Sequence, residues 1–216
     1  MTSISLEHIA DELGLALTQY ETVALTRYVA LLHRWNGSFN LTSVRSVDAM
    51  GIRHLADCLA VVPPLRRVFP SGRGRMLDAG SGGGLPGVVL AICDSGWDVT
   101  CVDAVAKKVA FVRQAAGELG LTHVHALHGR VEALELPRFD LITSRAFASL
   151  SDFVTLTRHL LSDRGVWLAM KGKRPDDELL ALPEDIDVFH VEPLQVPALD
   201  EERCLVWMRI KSTGKP

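Results

Sequence analysis

The chain has 216 residues, 48% of them apolar, and its 23 Lys and Arg against 26 Asp and Glu leave a net charge of −3. That is the length of one domain with at most a small appendage, and it can bury a full core without disulfides or metals. The near-balance excludes a general polycation that coats nucleic acid and a strongly acidic tail protein. The charge is unevenly spread, however: residues 175–216 hold 4 basic and 10 acidic groups, whereas residues 75–174 hold 12 and 10. A basic patch on the front of the molecule therefore stays open.

The first 70 residues read as helices. Tyr20, Val23, Tyr28, Leu31, Leu32 and Trp35 are spaced to share one helical face, with Gly37 as the predicted stop. A second segment from Val47 carries Met50, Leu55, Leu59 and Val62, and Pro63-Pro64 is predicted to end it. From Arg75 the pattern changes to short β-prone runs alternating with helical ones. Strands are predicted at 75–78, 98–103, 123–127, 139–143, 166–170, 188–192 and 204–210, and helices at 85–93, 105–119 and 150–161. Alternation of this kind implies parallel strands with helices on both faces. The last two strands lack a clear helix between them, which predicts a terminal antiparallel hairpin. The joint lies at Ser71-Gly72-Arg73-Gly74, dividing a helical extension (1–74) from a main domain (75–216).

Cys58, Cys93, Cys101 and Cys204 are far apart, without a C-x-x-C pair, so neither a disulfide framework nor a metal site is expected. His123, His125 and His128 form an H-x-H-x-x-H pattern, but alternate strand residues face opposite ways and no acid or thiol accompanies them. No signal peptide or membrane helix is expected, and a cytoplasmic location follows as the simplest address.

Chemistry enters at Asp78-Ala79-Gly80-Ser81-Gly82-Gly83-Gly84-Leu85-Pro86-Gly87. A strand, clustered glycines and then a proline at a first helical position describe a nucleotide-cradling turn. Residues 82–87 fit the G-x-G-x-x-G of dinucleotide folds, a weak match in so glycine-rich a stretch. Asp78, Gly80, Gly82 and Gly84 instead fit D-x-G-x-G-x-G, which resembles the first motif of class I S-adenosylmethionine methyltransferases. Asp103, 19 residues after Gly84, can accept ribose hydroxyls from either ligand. Asp78 ahead of the glycines and the terminal hairpin favour the methyltransferase; an NAD(P)-binding oxidoreductase is the alternative.

After the fourth strand comes Thr143-Ser144-Arg145-Ala146-Phe147. It has neither the D/N-P-P-Y/F turn typical of exocyclic amine methylation nor the cysteine that C5 methylation of pyrimidines needs. A target with a ready lone pair, such as guanine N7, needs neither, because proximity and in-line alignment supply the acceleration. No general base is expected.

Several segments together resemble the RsmG (GidB) family of bacterial rRNA methyltransferases. They are Trp35-Asn36, Asn40-Leu41-Thr42-Ser43-Val44-Arg45, Arg53-His54-Leu55-Ala56-Asp57, Gly84-Leu85-Pro86-Gly87, Ser144-Arg145-Ala146-Phe147-Ala148-Ser149-Leu150, Lys171-Gly172, the run 194–200, and Glu202-Arg203. Ser81 and Gly83, where the family often has Thr and Pro, and Cys58, where Ser is common, are small departures. The resemblance implies a Rossmann-like α/β fold with a mostly parallel seven-stranded sheet and an antiparallel C-terminal hairpin. It implies methylation of N7 of guanine 527 in the 530 loop of 16S rRNA, with S-adenosylmethionine as donor, no metal, and the 30S subunit or an assembly intermediate as substrate. By the same resemblance Gly80 and Leu85 line the cofactor pocket, Val131 and Glu132 flank the adenine, and Arg145 sits beside cofactor and target.

Arg145 and Lys171 are thus the expected positioning residues, and a monomer is the expected state. Asn40, Arg45, Arg53 and His54 either cap and pair helices or face RNA. Lys171, Lys173 and Arg174 form a solvated charge run or a phosphate-gripping loop. Asp176-Asp177-Glu178 and Asp200-Glu201-Glu202 are expected to face solvent, away from RNA. A methyltransferase of another substrate is the remaining rival.

Overall fold

The structure, a computed structural model, describes residues 5–145, 147 and 149–211, without the side chains of Asp48, Ile52 and Arg53. Helix α1 (Leu6–Glu12) starts on Ser5, whose side chain accepts from the His8 amide. Helix α2 (Gln19–Phe39) starts on a capping box, in which Thr18 and Glu21 each satisfy the other's backbone N–H. The buried face of α2 runs through Ala24, Leu25, Tyr28, Leu31 and Leu32, but Tyr20 and Val23 are 58% and 50% exposed. Val23 stands about 200° round the helix from Leu25, and Tyr20 lies at the helix start, where only its hydroxyl reaches Leu119 O. The helix also passes the predicted stop at Gly37 and ends at Asn40, in the left-handed conformation with φ 50°. Asparagine tolerates that conformation almost as glycine does.

A helical rod follows, made of α3 (Val47–Met50), a π-helical stretch (Gly51–Ala56) and α4 (Asp57–Leu59). The two prolines predicted to end it instead open α5 (Val62–Val68). Proline is at home in a first helical turn, where its missing N–H has no partner to lose.

Seven strands form one sheet in the order β3-β2-β1-β4-β5-β7-β6. They are β1 (Gly74–Ala79), β2 (Trp97–Asp103), β3 (Val124–His128), β4 (Phe139–Ser144), β5 (Leu161–Lys171), β6 (Ile186–Pro193) and β7 (Cys204–Ile210). The first five are parallel, and β7 lies antiparallel between β5 and β6. Helices α6 (Gly87–Cys93) and α7 (Ala106–Leu119) follow β1 and β2, and α8 (Leu150–Thr157) follows β4. Strand β5 begins five residues before its predicted start, because Leu161 pairs with Phe139 ahead of an irregularity in the register. A short helix, α9 (Asp176–Leu180), carries no apolar period that would have announced it.

Alternation along the strands sorts side chains to two cores. Met76, Val99, Leu141 and Leu168 face the first, with α2, α6, α7 and much of the N-terminal rod. Leu77, Val102, Ile142 and Trp167 face the second, under α8. The N-terminal helices thus share one core with the sheet. Chain order reverses between β1 and β4, so the loops after them diverge and leave a crevice at the strands' C-terminal ends.

Candidate functional site

The crevice is floored by the turn from β1 to α6. Gly80 and Ser81 both donate their amides to Val102 O at 2.9 Å, and Gly80, Gly82 and Gly84 have φ of 71°, 57° and 86°. Gly82 and Gly84 do different work. A Cβ on Gly82 would meet nothing within 4 Å, whereas one on Gly84 would lie 2.4 Å from Val88 Cγ2. Gly82 therefore keeps open space beside the turn, while Gly84 lets the turn close on its own helix. Pro86 is the cap residue before α6 rather than its first residue.

A cavity of about 180 Å³ opens on this turn, lined by Gly80, Ser81, Gly82, Gly83 and Leu85 together with Leu32, Leu41, Thr42, His54, Lys108 and Arg145. Gly80, Gly82, Leu85 and Arg145 thus meet in one place, joined by side chains from the N-terminal helices. Asp103, 6% exposed, closes the neighbouring edge. Its Oδ2 accepts from the Gly82 amide at 2.9 Å, its Oδ1 accepts from the Val105 amide at 2.8 Å, and Lys108 Nζ stands 3.6 Å away. Asp78 is fully buried and does not line the cavity. Its Oδ2 accepts from the Gly87 amide at 2.8 Å, and among the described residues its Oδ1 has no hydrogen-bond partner. Burial pushes its carboxyl up to about 7, although the Gly87 amide and Arg145 work against that rise.

A second cavity of about 340 Å³ adjoins the first and shares His54 and Arg145 with it. Arg145 Nη1 donates to Asp57 Oδ2 at 3.2 Å, and Arg203 Nε donates to Asp57 Oδ1 at 3.1 Å. His54 Nε2 lies 2.7 Å from Thr42 Oγ1, and its Nδ1 lies 3.5 Å from Arg145 Nη1. Guanidinium only donates, so Nδ1 is the acceptor in that pair and Nε2 keeps the proton for Thr42. Lys171 also lines this cavity, held by Glu178 at 2.7 and 3.0 Å.

Other predicted residues lie elsewhere. Val131 and Glu132 form a 3₁₀ turn after β3, outside both cavities; Val131 packs in the second core and Glu132 pairs with Arg130 at 2.7 Å. Asn40 and Arg45 are exposed, Asn40 as the terminus of α2. The side chain of Arg53 lies outside the described residues. Lys173 and Arg174 line a larger groove of about 890 Å³ beside Arg67 and the 191–204 segment, and Arg174 pairs with Asp176 at 2.7 Å. The acidic residues 176–178 do not all face solvent. Glu178 turns inward to Lys171 and also accepts from the Leu150 amide at 2.8 Å, because it answers a cation and a helix start together. Asp200, Glu201 and Glu202 are exposed as expected, with Glu201 pairing with Arg203 at 3.0 Å.

The three histidines serve separate partners: His123 meets Ala91 O, His125 meets Asp98, and His128 meets Ala104 O. No group of three metal-ligating side chains occurs among the described residues, and no helix there is long and apolar enough to cross a membrane. All four cysteines are free and buried, and burial pushes the Cys58, Cys93 and Cys101 thiols up, Cys93 to about 12. That is the reverse of what a nucleophilic thiol needs.

Sequence reasoning missed two contributors. Tyr28, fully buried in α2, donates its hydroxyl to Gly83 O at 2.5 Å and so ties the N-terminal helices to the glycine turn. Its only signal was an apolar period, which cannot tell a phenol that bonds from one that merely packs. Asp57 sits 88 and 146 residues from its two arginines, a separation that no local pattern spans.

A family model described as GidB, rRNA small subunit methyltransferase G, matches residues 21–206. A ribosomal RNA small subunit methyltransferase G of Acidovorax ebreus (strain TPSY) is 53% identical over 221 residues, covering 97% of this chain and 97% of that protein. One of Methylibium petroleiphilum is 55% identical over 206 residues, covering 95% and 93%. Among solved structures, the glycopeptide N-methyltransferase MtfA complexed with S-adenosylmethionine gives a TM-score of 0.60 at 16% identity, covering 72% of this chain and 94% of that one. TrmN from Thermus thermophilus gives 0.58 at 19% identity, covering 78% and 54%. At such identities the likeness establishes the class I methyltransferase fold alone.

Proposed function

This chain belongs to the rRNA small subunit methyltransferase G family, and from that premise we propose that it methylates N7 of guanine 527 in 16S rRNA with S-adenosylmethionine as donor. The observation that carries this reading is the pair of adjoining cavities, one on the glycine turn and one on the arginines, with Arg145 in the wall of both. One is suited to a nucleoside donor and the other to a base.

The residues present fit the donor. The turn leaves room at Gly82, and Asp103 stands at its edge with oxygen lone pairs beyond the two amides it accepts. When bound, S-adenosylmethionine supplies a methyl group on a cationic sulfur; the N7 lone pair forms the new N–C bond, the S–C electron pair stays on sulfur, and the base becomes the cation. No proton moves, so the protein's task is to position and to exclude water. Gly80, Gly82 and Leu85 shape the donor's seat, and Asp103 orients the ribose. Arg145, braced by Asp57 and His54, aligns the incoming base. Lys173 and Arg174 draw in the RNA backbone and Arg67 flanks them, which makes binding salt-dependent. Val131 and Glu132, on the turn after β3, meet the adenine beyond the cavity in this reading, and the exposed Asn40 and Arg45 extend the RNA-facing side.

Incubating the protein with labelled S-adenosylmethionine and 30S subunits from a methylation-deficient strain tests the reading. One methyl group per subunit is expected, on N7 of guanine 527, at a rate that falls steeply with salt. Labelling at another position, or transfer only to peptides or metabolites, would overturn it.

A further inference from the structure

The second cavity presents a problem of charge. Its volume, about 340 Å³, is that of a small-ligand site, and three cations stand on its wall: Arg145, Lys171 and Arg203. Glu178 and Glu201 pair with Lys171 and Arg203 from outside the lining, which leaves Asp57 as the one lining carboxylate among the described residues. If this cavity receives the base, as the proposed function has it, it receives a group whose positive charge grows along the reaction. Three cations facing that base would oppose methyl transfer. A carboxylate on the same wall attracts more strongly as charge arrives, which lowers the barrier rather than merely tightening binding.

Asp57 is placed for that role. It is 2% exposed, at the start of α4, and its two oxygens are shared between Arg145 at the end of β4 and Arg203 just before β7. One residue of the N-terminal rod thus draws together two loops at the sheet's C-terminal edge. Burying one carboxylate between two guanidiniums costs desolvation that an apolar contact would avoid, so packing alone does not account for it. We propose that Asp57 is a positioning residue for methyl transfer: it holds the Arg145 and Arg203 guanidiniums at the cavity wall and offsets their charge beside a base that becomes cationic.

The test compares Asp57→Asn, which keeps the shape and removes the charge, with Asp57→Glu and with the double variant D57N/R203Q. In single-turnover methylation of unmodified 30S subunits, Asp57→Asn is expected to lose about 30-fold in rate. Its affinity for S-adenosylhomocysteine in calorimetry is expected to stay within about threefold of wild type, since Asp57 does not line the donor cavity. Its equilibrium preference for methylated over unmodified subunits should fall about tenfold. D57N/R203Q should recover at least about threefold over D57N, because removing a cation restores the balance. A D57N rate within about threefold of wild type, a parallel loss of S-adenosylhomocysteine affinity, or a double variant no faster than D57N would each overturn the proposal. Should D57N fail to fold, Asp57→Glu decides: a rate above roughly a tenth of wild type supports the role and a lower one refutes it. Wild type that leaves the subunits unmethylated would instead sink the proposed function, and this inference with it.

Discussion

Asp103→Ala is expected to weaken S-adenosylhomocysteine binding by about a hundredfold, read by calorimetry. Two effects combine. In the proposed reading the carboxylate accepts both ribose hydroxyls, and its loss also frees the Gly82 and Val105 amides that it now holds at 2.9 and 2.8 Å. The first effect removes direct contacts; the second lets the glycine turn drift from the conformation that admits the ligand. The expected stability cost is only about 1–3 kcal/mol, the usual range for a buried hydrogen-bond partner removed. Asp103→Asn should fall between wild type and alanine, since it keeps one acceptor oxygen and turns an NH₂ toward an amide that donates. An affinity change below about threefold in the alanine variant would remove Asp103 from the donor site.

The second large effect is at Arg145. Arg145→Ala should lower the single-turnover methylation rate by about a thousandfold, because it deletes the group shared by both cavities, which in the proposed reading aligns the base. Thermal stability should change much less, a midpoint shift of under about 5 °C, because Asp57 keeps its bond to Arg203. Arg145→Lys is not expected to rescue, since the shorter lysine side chain stops its ammonium short of the Nη1 position from which both Asp57 and His54 are met. A rate that declines only in step with unfolding would mean that Arg145 is structural.

Much of this architecture is legible in the chain. The β/α alternation after Arg75 foretells the mostly parallel sheet, and the strand–glycine–helix order locates the turn, because both are local and periodic. The pairing of Cys204–Ile210 with the preceding strand follows from the missing helix between them, but its insertion beside β5 does not. Boundaries fail where one residue overrides the pattern: Asn40 supplies the helix end expected of Gly37, and Pro63-Pro64 open a helix instead of only closing one. At the cavity, Gly80, Gly82 and Arg145 are readable because motif and strand end announce them, whereas Leu85 comes only from the family resemblance. Thr42 carries a resemblance but no visible chemistry, and His54 reads only as helix-pairing or RNA-facing, until the fold brings both over the glycine turn. Glu178 was misread for a general reason. A run of acids looks solvated in sequence, and only the fold shows that one member faces a lysine and a helix start.

In the proposed reading the glycine turn and Asp103 hold a sulfonium nucleoside rather than a nicotinamide dinucleotide. Titrating the wild-type protein with S-adenosylhomocysteine and, separately, with NADH under one set of conditions tests it directly. Saturable one-to-one binding of S-adenosylhomocysteine at micromolar concentrations, with no heat or fluorescence change from NADH, is the result predicted. Saturable NADH binding with silence toward S-adenosylhomocysteine at millimolar concentrations would contradict it.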